Sequence, residues 1–143
     1  MKKVTTLFII VVFALYAWDY LGLGELTQSQ DSDTNTVLAQ AFDKQQSDIQ
    51  VKGEGMVVKV LADDNDGSRH QRFILDIGSG QTLLVAHNID LAPRIPSLRA
   101  GDTVEFFGEY EWNHKGGVIH WTHHDPQGRH VSGWLKHHGS TYQ

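Results

Sequence analysis

Histidine and tryptophan are concentrated in the last quarter of the chain. The segment Glu109–His138 (EYEWNHKGGVIHWTHHDPQGRHVSGWLKHH) contains seven of the nine histidines and three of the four tryptophans. Imidazole binds metals and transfers protons near neutral pH, and tryptophan offers a flat stacking face and one N–H donor. This enrichment indicates a functional site, but it does not by itself select a class of function.

Three of these histidines, His120, His123 and His130, are candidate ligands of a zinc or copper ion. The sequence has no diagnostic metal-binding spacing such as His-Glu-x-x-His. Alternation along a strand places His120 and His123 on opposite faces, so they could bind one ion together only across a bulge. In a metal-dependent hydrolase of the phosphodiesterase or nuclease type, the candidate catalytic residues are His120, His123, Asp90 and Glu109.

Arginine and aromatic side chains support a second interpretation, a binding site without catalysis. Guanidinium groups bind phosphate or carboxylate bidentately, and aromatic rings stack on bases or sugars. The candidate ligand-binding residues are Arg69, His70, Arg72, His87, Asn88, Arg94, Tyr110, Trp112 and Trp121. The simpler alternatives are that each arginine pairs with a surface aspartate, that His87 and His120 are hydrogen-bonded sheet residues, and that His137 and His138 are solvated.

A β pattern that begins near Gln50 must position these residues. In the first strand, Met56, Val58, Val60 and Ala62 form one apolar face. The next four strands are predicted at Arg69–Ile77, Thr82–Asp90, Thr103–Trp112 and Val118–His123, and the tail from Pro126 has no clear period. Five strands with a longer connection after the third predict an all-β fold, a small five-stranded OB-like barrel.

The fourth strand has the clearest alternation. Its predicted core face carries Val104, Phe106, Gly108, Tyr110 and Trp112, and the other face carries Glu105, Phe107, Glu109 and Glu111. Solvated glutamates are the simpler interpretation of the second face. A carboxylate ridge beside the histidines of the fifth strand is the functional alternative.

The N-terminal segment has the layout of an export signal. Lys2 and Lys3 precede a short apolar run, which predicts a signal peptide or an N-terminal membrane anchor over residues 1–23. A polar linker is predicted over residues 24–35, and the barrel domain over residues 36–143 with one short helix near its start. The domain is expected in the periplasm, tethered to the inner membrane through residues 4–23 or released after cleavage.

Composition excludes several function classes. The chain has no cysteine, so disulfides and thiol catalysis are excluded. Residues 50–143 carry nine Lys and Arg against eleven Asp and Glu, so strong duplex nucleic-acid binding is not expected at neutral pH. We expect a binding module for an oligomeric or anionic ligand, single-stranded nucleic acid or glycan, in the cell envelope. The alternatives are the hydrolase and non-catalytic binding of zinc or copper.

Four strings of the sequence carry a family resemblance: HQRF at 70–73, AHNIDLAP at 86–93, GEYEWN at 108–113 and GGVIHWTH at 116–123. With them, the chain resembles an uncharacterised bacterial family, a domain of unknown function found in small exported proteins. The resemblance covers about residues 37–143. It implies export and a single β-domain, and it assigns no activity and no catalytic residue.

Overall fold

Seven β-strands and one helix make up residues 25–143, the part of the chain that the computed structural model describes, with side chains described from residue 33. The elements are α1 (Glu25–Asp43), β1 (Ile49–Val60), β2 (His70–Asp76), β3 (Thr82–Asn88), β4 (Thr103–Glu111), β5 (Val118–His120), β6 (Trp134–His137) and β7 (Ser140–Tyr142). Residues Thr34–Gln143 form one compact unit.

The first five strands close into a barrel. They follow the order β1-β2-β3-β5-β4, and a further pairing between β1 and β4 closes the ring. The β3–β5 pair is parallel, while the other pairs of the ring are antiparallel. The prediction of an all-β domain with a small five-stranded barrel and one helix before it is confirmed.

β1 closes the barrel because it is long enough to pair with both β4 and β2. Its first part pairs with β4 and its last part with β2. A glycine is needed at position 55, since a Cβ atom there would lie 2.8 Å from the Asp76 carbonyl oxygen. The register between β1 and β2 shifts between Val57 and Lys59, which is a bulge of the kind that bends barrel strands.

The apolar face predicted on the first strand points outward. Met56, Val58 and Val60 are 48%, 42% and 41% exposed, whereas Val57 is completely buried. Both faces of this stretch carry apolar residues, so alternation could not tell which face turns inward. The pairing of Val57 with Leu75 of β2, another buried residue, settles the orientation.

The fifth strand is shorter than predicted, and the tail contains two strands that were not predicted. β5 ends at His120, because Trp121 adopts a left-handed φ of 55°. β6 then pairs with β4, and β7 pairs with β6. Strands of four and three residues are too short to show a period in the sequence.

α1 begins at Glu25, so its first turns run through the segment predicted as a linker. Within the compact unit, Leu38 and Ala41 are buried, and the Thr34 hydroxyl donates to the Lys52 carbonyl oxygen at 2.8 Å. The predicted signal or anchor over residues 1–23 lies outside the described residues. Among the described helices, none is long and apolar enough to cross a membrane.

Candidate functional site

His87 is a core residue at the end of β3. Its side chain is completely buried, with Nε2 3.0 Å from the Pro93 carbonyl oxygen and Nδ1 2.8 Å from the Thr122 hydroxyl. A carbonyl only accepts, so Nε2 carries the proton and Nδ1 accepts from Thr122. Burial lowers the pKa of His87 to about 4, although the bond to Pro93 opposes this shift. His87 is therefore a neutral structural residue without access to a ligand.

The three predicted ligand-binding arginines all engage acceptors of the protein. Arg69 Nε donates to Asp90 Oδ1 at 2.8 Å, and Arg94 forms an ion pair with Asp63. Arg72 donates from Nε and Nη2 to one carbonyl oxygen, that of Ala62. These arginines brace the β1–β2 loop and the end of β3, and the simpler interpretation of pairing with a surface aspartate holds for Arg69 and Arg94 but not for Arg72.

The neighbouring polar residues belong to the same bracing. Hydrogen bonds from the Arg69 backbone and side chain lower the pKa of Asp90. The Asn88 side chain accepts from the Asp90 backbone N–H at 2.9 Å, and His70 Nδ1 lies 2.8 Å from the Ser68 carbonyl oxygen. Asp90, predicted as catalytic, is thus committed to a guanidinium.

Two predicted stacking residues lie inside the domain. Tyr110 is completely buried and donates to the Gly116 carbonyl oxygen at 3.1 Å, so its ring cannot receive a ligand. Trp112 packs against the core, and its Nε1 donates to the Phe42 carbonyl oxygen at 3.1 Å. Trp112 therefore fixes the end of α1 on the barrel.

Trp121 and His130 form a stacked pair at the surface. Their rings are nearly parallel, at 7°, with centroids 4.0 Å apart. His130 Nδ1 lies 2.8 Å from the Val131 carbonyl oxygen, and Nε2 contacts the Glu109 carboxylate. Both neighbours of the ring are hydrogen-bond acceptors, so together they favour the protonated form of His130. Burial alone would lower the pKa of His130, but the bonds to Val131 and Glu109 outweigh it and raise the pKa.

Asp125 shapes the loop that carries His130. Its carboxylate accepts from the backbone N–H groups of Gln127, Arg129 and His130, each at 2.9 Å. These bonds, those from Gln127 and Arg129 foremost, lower the pKa of Asp125. The carboxylate therefore holds the loop closed over Trp121.

A cavity of about 510 Å³ opens beside this loop. It is lined by Leu91, Trp121, Asp125, Pro126, Gln127, Arg129 and His130. Leu91, Trp121 and Pro126 supply its apolar surface and the other four residues supply polar groups, a combination that ligand sites also show. Among residues 33–143, the Arg129 guanidinium has no carboxylate within 4.0 Å. We call this place the tryptophan pocket.

The predicted metal ligands do not converge. His120 Nε2 is buried without a hydrogen-bond partner, 3.6 Å from a Glu111 oxygen. His123 Nδ1 lies 2.7 Å from the His124 carbonyl oxygen, and His130 is held by Glu109. In the described part of the chain, these three histidines do not bring ligand atoms within 4.8 Å of one another. The left-handed turn at Trp121 breaks the alternation on which their placement was predicted.

A different cluster does bring ligand atoms together. Asp102, His137 and His138 each place one donor atom within 4.8 Å of the others. His137 is 4% exposed, so the prediction that it is solvated is wrong, whereas the His138 side chain is 66% exposed. Only the pairing of β6 with β4 brings His137 to Asp102, and no sequence spacing indicated it.

Comparison with known families gives one match. A family model described as a protein of unknown function, DUF3465, matches residues 22–143. The chain belongs to this family. The resemblance to an uncharacterised domain family is thereby confirmed, and the four strings that suggested it stay an interpretation. A search of curated proteins finds no match for the DUF3465 chain.

Proposed function

We propose that the DUF3465 domain is a binding module whose ligand enters the tryptophan pocket. The observation that supports this most directly is the half-buried Trp121 ring, which is braced by His130 and borders a cavity of about 510 Å³. Aromatic rings fixed in this way bind ring-shaped ligands with little loss of side-chain entropy. The hydrolase alternative has weaker support, because Asp90, Glu109 and His123 each engage a separate partner within the protein.

An acidic sugar chain fits this pocket better than a single-stranded nucleic acid. A sugar ring can pack on Trp121 and Leu91, and one acidic substituent can pair with Arg129. A nucleic acid presents a phosphate at every nucleotide and needs a groove of cations. Arg69, Arg72 and Arg94 do not supply such a groove, because each is already bound to a protein acceptor. The folded part also carries more acidic than basic residues.

The proposed setting is the cell envelope of a bacterium. The N-terminal layout of Lys2, Lys3 and an apolar run supports export, with tethering or release depending on cleavage. We also infer that the barrel is of the OB type, since it has five strands in a closed ring and a long connection after β3. Oligosaccharides are among the ligands that barrels of this type bind.

Isothermal titration calorimetry with three probes tests the proposal. The probes are an oligomer of a uronic acid, a neutral oligosaccharide of the same length, and oligothymidylate, each added to the full chain. We expect saturable binding of the acidic oligosaccharide that Trp121→Ala and Arg129→Ala each weaken. Trp134→Ala is the matched control, because Trp134 is also half-buried but lies on β6 under the Lys136 ammonium.

Two results would count against the proposal. If Trp134→Ala weakens binding as much as Trp121→Ala does, the ligand does not bind specifically in the tryptophan pocket. Tight binding of oligothymidylate in preference to both sugars would restore the nucleic-acid interpretation, and a steep decrease of affinity with salt would then be expected.

A further inference from the structure

A second site is suggested where the C-terminal hairpin meets the start of β4. His137 Nε2 lies 2.8 Å from Asp102 Oδ2, and His138 Nε2 lies 3.9 Å from Asp102 Oδ1. The two imidazole rings are stacked with centroids 3.8 Å apart. Two imidazoles and one carboxylate are a ligand set that zinc takes in proteins, with the remaining coordination positions open.

We propose that Asp102, His137 and His138 form a binding site for Zn²⁺ or a cation of similar preference. Three observations support the site: the convergence of three ligand atoms, the burial of His137 and the exposure of His138. A buried histidine and a nearly buried carboxylate set the position of the ion, and the exposed histidine can close on it from the solvent side.

The distances suit a tetrahedral ion after small movements. Ligand atoms about 2.0–2.2 Å from zinc lie roughly 3.4 Å from one another. The Asp102–His137 separation of 2.8 Å would have to widen by roughly half an ångström. The His138–Asp102 separation of 3.9 Å involves the other carboxylate oxygen, Oδ1, so the His138 ring would also have to turn before both histidines and one carboxylate oxygen meet at the ion. Side-chain rotation at the hairpin tip can provide this second movement.

The backbone around the site is fixed by strand pairing. The Asp102 carbonyl oxygen accepts from Val57 N–H at 2.8 Å, and Gly101 N–H donates to the Val57 carbonyl oxygen at 2.8 Å. His137 ends β6, which pairs with β4 at Lys136 and with β7 at His137 itself. Asp102 and His137 are therefore held in place before any ion arrives.

His138 occupies a turn position that most side chains avoid. It is the first residue of the two-residue loop between β6 and β7, with a left-handed φ of 48°, and Gly139 follows with 79°. Two positive φ values in a hairpin loop favour Asn-Gly or Asp-Gly. Histidine tolerates this region better than most residues. At this position its ring is directed at the Asp102 carboxylate rather than away from the domain.

The site is open toward solvent, and the Arg99 guanidinium lies next to its carboxylate. A cavity of about 460 Å³ adjoins it, bordered by Thr103, Glu105 and Lys136, and can supply water as a further ligand. Arg99 Nε lies 3.8 Å from Asp102 Oδ1, but the Arg99 side chain is 81% exposed. Arg99 therefore competes with a bound cation and can move away from it.

Metal titration of the untagged full chain tests the site. The protein is treated with a chelator and exchanged into chelator-free buffer. Zn²⁺ is then titrated against a chromophoric competitor, and bound metal is counted by elemental mass spectrometry. We expect one Zn²⁺ per chain and no comparable binding of Mg²⁺, which prefers oxygen ligands. His138→Ala should weaken binding by more than about tenfold, the smallest loss usually seen on removing even an outer partner of a metal site.

Two further variants make the test specific. His114→Ala is the matched control, since His114 is another exposed histidine in a loop. The affinity of this variant for Zn²⁺ should equal that of the unchanged chain. Arg99→Ala should tighten binding, because it removes the competing cation. Circular dichroism of His138→Ala checks that the exposed substitution leaves the fold intact.

The zinc titration either supports the site or overturns it. Loss of Zn²⁺ in His138→Ala but not in His114→Ala supports the site. Absence of saturable binding, or equal affinity in His138→Ala and the unchanged chain, overturns it. In that case the Asp102–His137 bond only anchors the hairpin to the barrel.

Discussion

The tryptophan pocket and the hairpin site both contain histidines and carboxylates, but they use them in opposite ways. Beside the pocket, His130 has a carboxylate and a carbonyl of its own, so both ring nitrogens are engaged. At the hairpin, His137 and His138 share the single carboxylate of Asp102. Each ring nitrogen of His130 thus has an acceptor of its own, whereas the two hairpin imidazoles have one carboxylate between them. The two sites differ in the number of acceptor groups available to each imidazole ring.

The largest expected effect concerns His87, the completely buried histidine of β3. Its pKa is about 4 in the folded domain and about 6.5 when unfolded. Between these pH values the unfolded chain binds more protons, so the free energy of unfolding decreases as the pH falls from about 6.5 to about 4. The decrease due to His87 is on the order of 3 kcal/mol.

Urea unfolding at several pH values measures this effect. His87→Gln, which does not titrate, should show a flatter pH dependence than the unchanged chain. Parallel curves for the two proteins would mean that His87 is not held neutral in the fold.

The second prediction concerns zinc and stability at the hairpin. If the site binds Zn²⁺, free metal at about a hundred times its dissociation constant should raise the free energy of unfolding by about 2.7 kcal/mol. Thermal or urea unfolding with and without Zn²⁺ measures this. The increase should vanish in His138→Ala and persist in His130→Ala. The reverse pattern would mean that Zn²⁺ binds near His130 and not at the hairpin.

The third prediction separates the two hairpin histidines without metal. His137→Leu removes the buried partner of Asp102 and should lower the free energy of unfolding by about 1–3 kcal/mol. His138→Ala, at an exposed position, should change it by less than about 0.5 kcal/mol. Equal losses in urea unfolding would show that both histidines are structural.

The smallest effect is expected at Glu109 and is local. Glu109→Gln removes the negative charge that holds the His130 proton, so the pKa of His130 should fall. In the unchanged chain, the stabilisation from His130 is present below about pH 6.5 and is lost as the pH rises through its raised folded value. NMR titration of the His130 ring protons in both proteins measures the shift. An unchanged midpoint would mean that Glu109 does not face His130 in solution.

The sequence predicted the five-stranded barrel, whereas the candidate site residues stay predictions. The alternation of β4 identified Val104, Phe106 and Tyr110 as core, and all three are completely buried. The same alternation cannot be followed as far as His123, because the turn at Trp121 ends β5 at His120. On β1 it could not choose between two apolar faces, and Met56, Val58 and Val60 lie outside.

The sequence by itself determined the class of fold and the residues available for chemistry. Strand periods, turn residues and the absence of cysteine are local properties of the chain, so they can be recognised without coordinates. The convergence of Asp102 with His137 and His138 was decided by tertiary structure, through the pairing of β4 with β6 across about thirty residues. The stacking of Trp121 on His130 and the pairing of every predicted arginine depend in the same way on loops that close in space. Contacts between distant segments produce no recognisable spacing pattern in the sequence. These contacts decided which histidines lie close enough together to bind a metal.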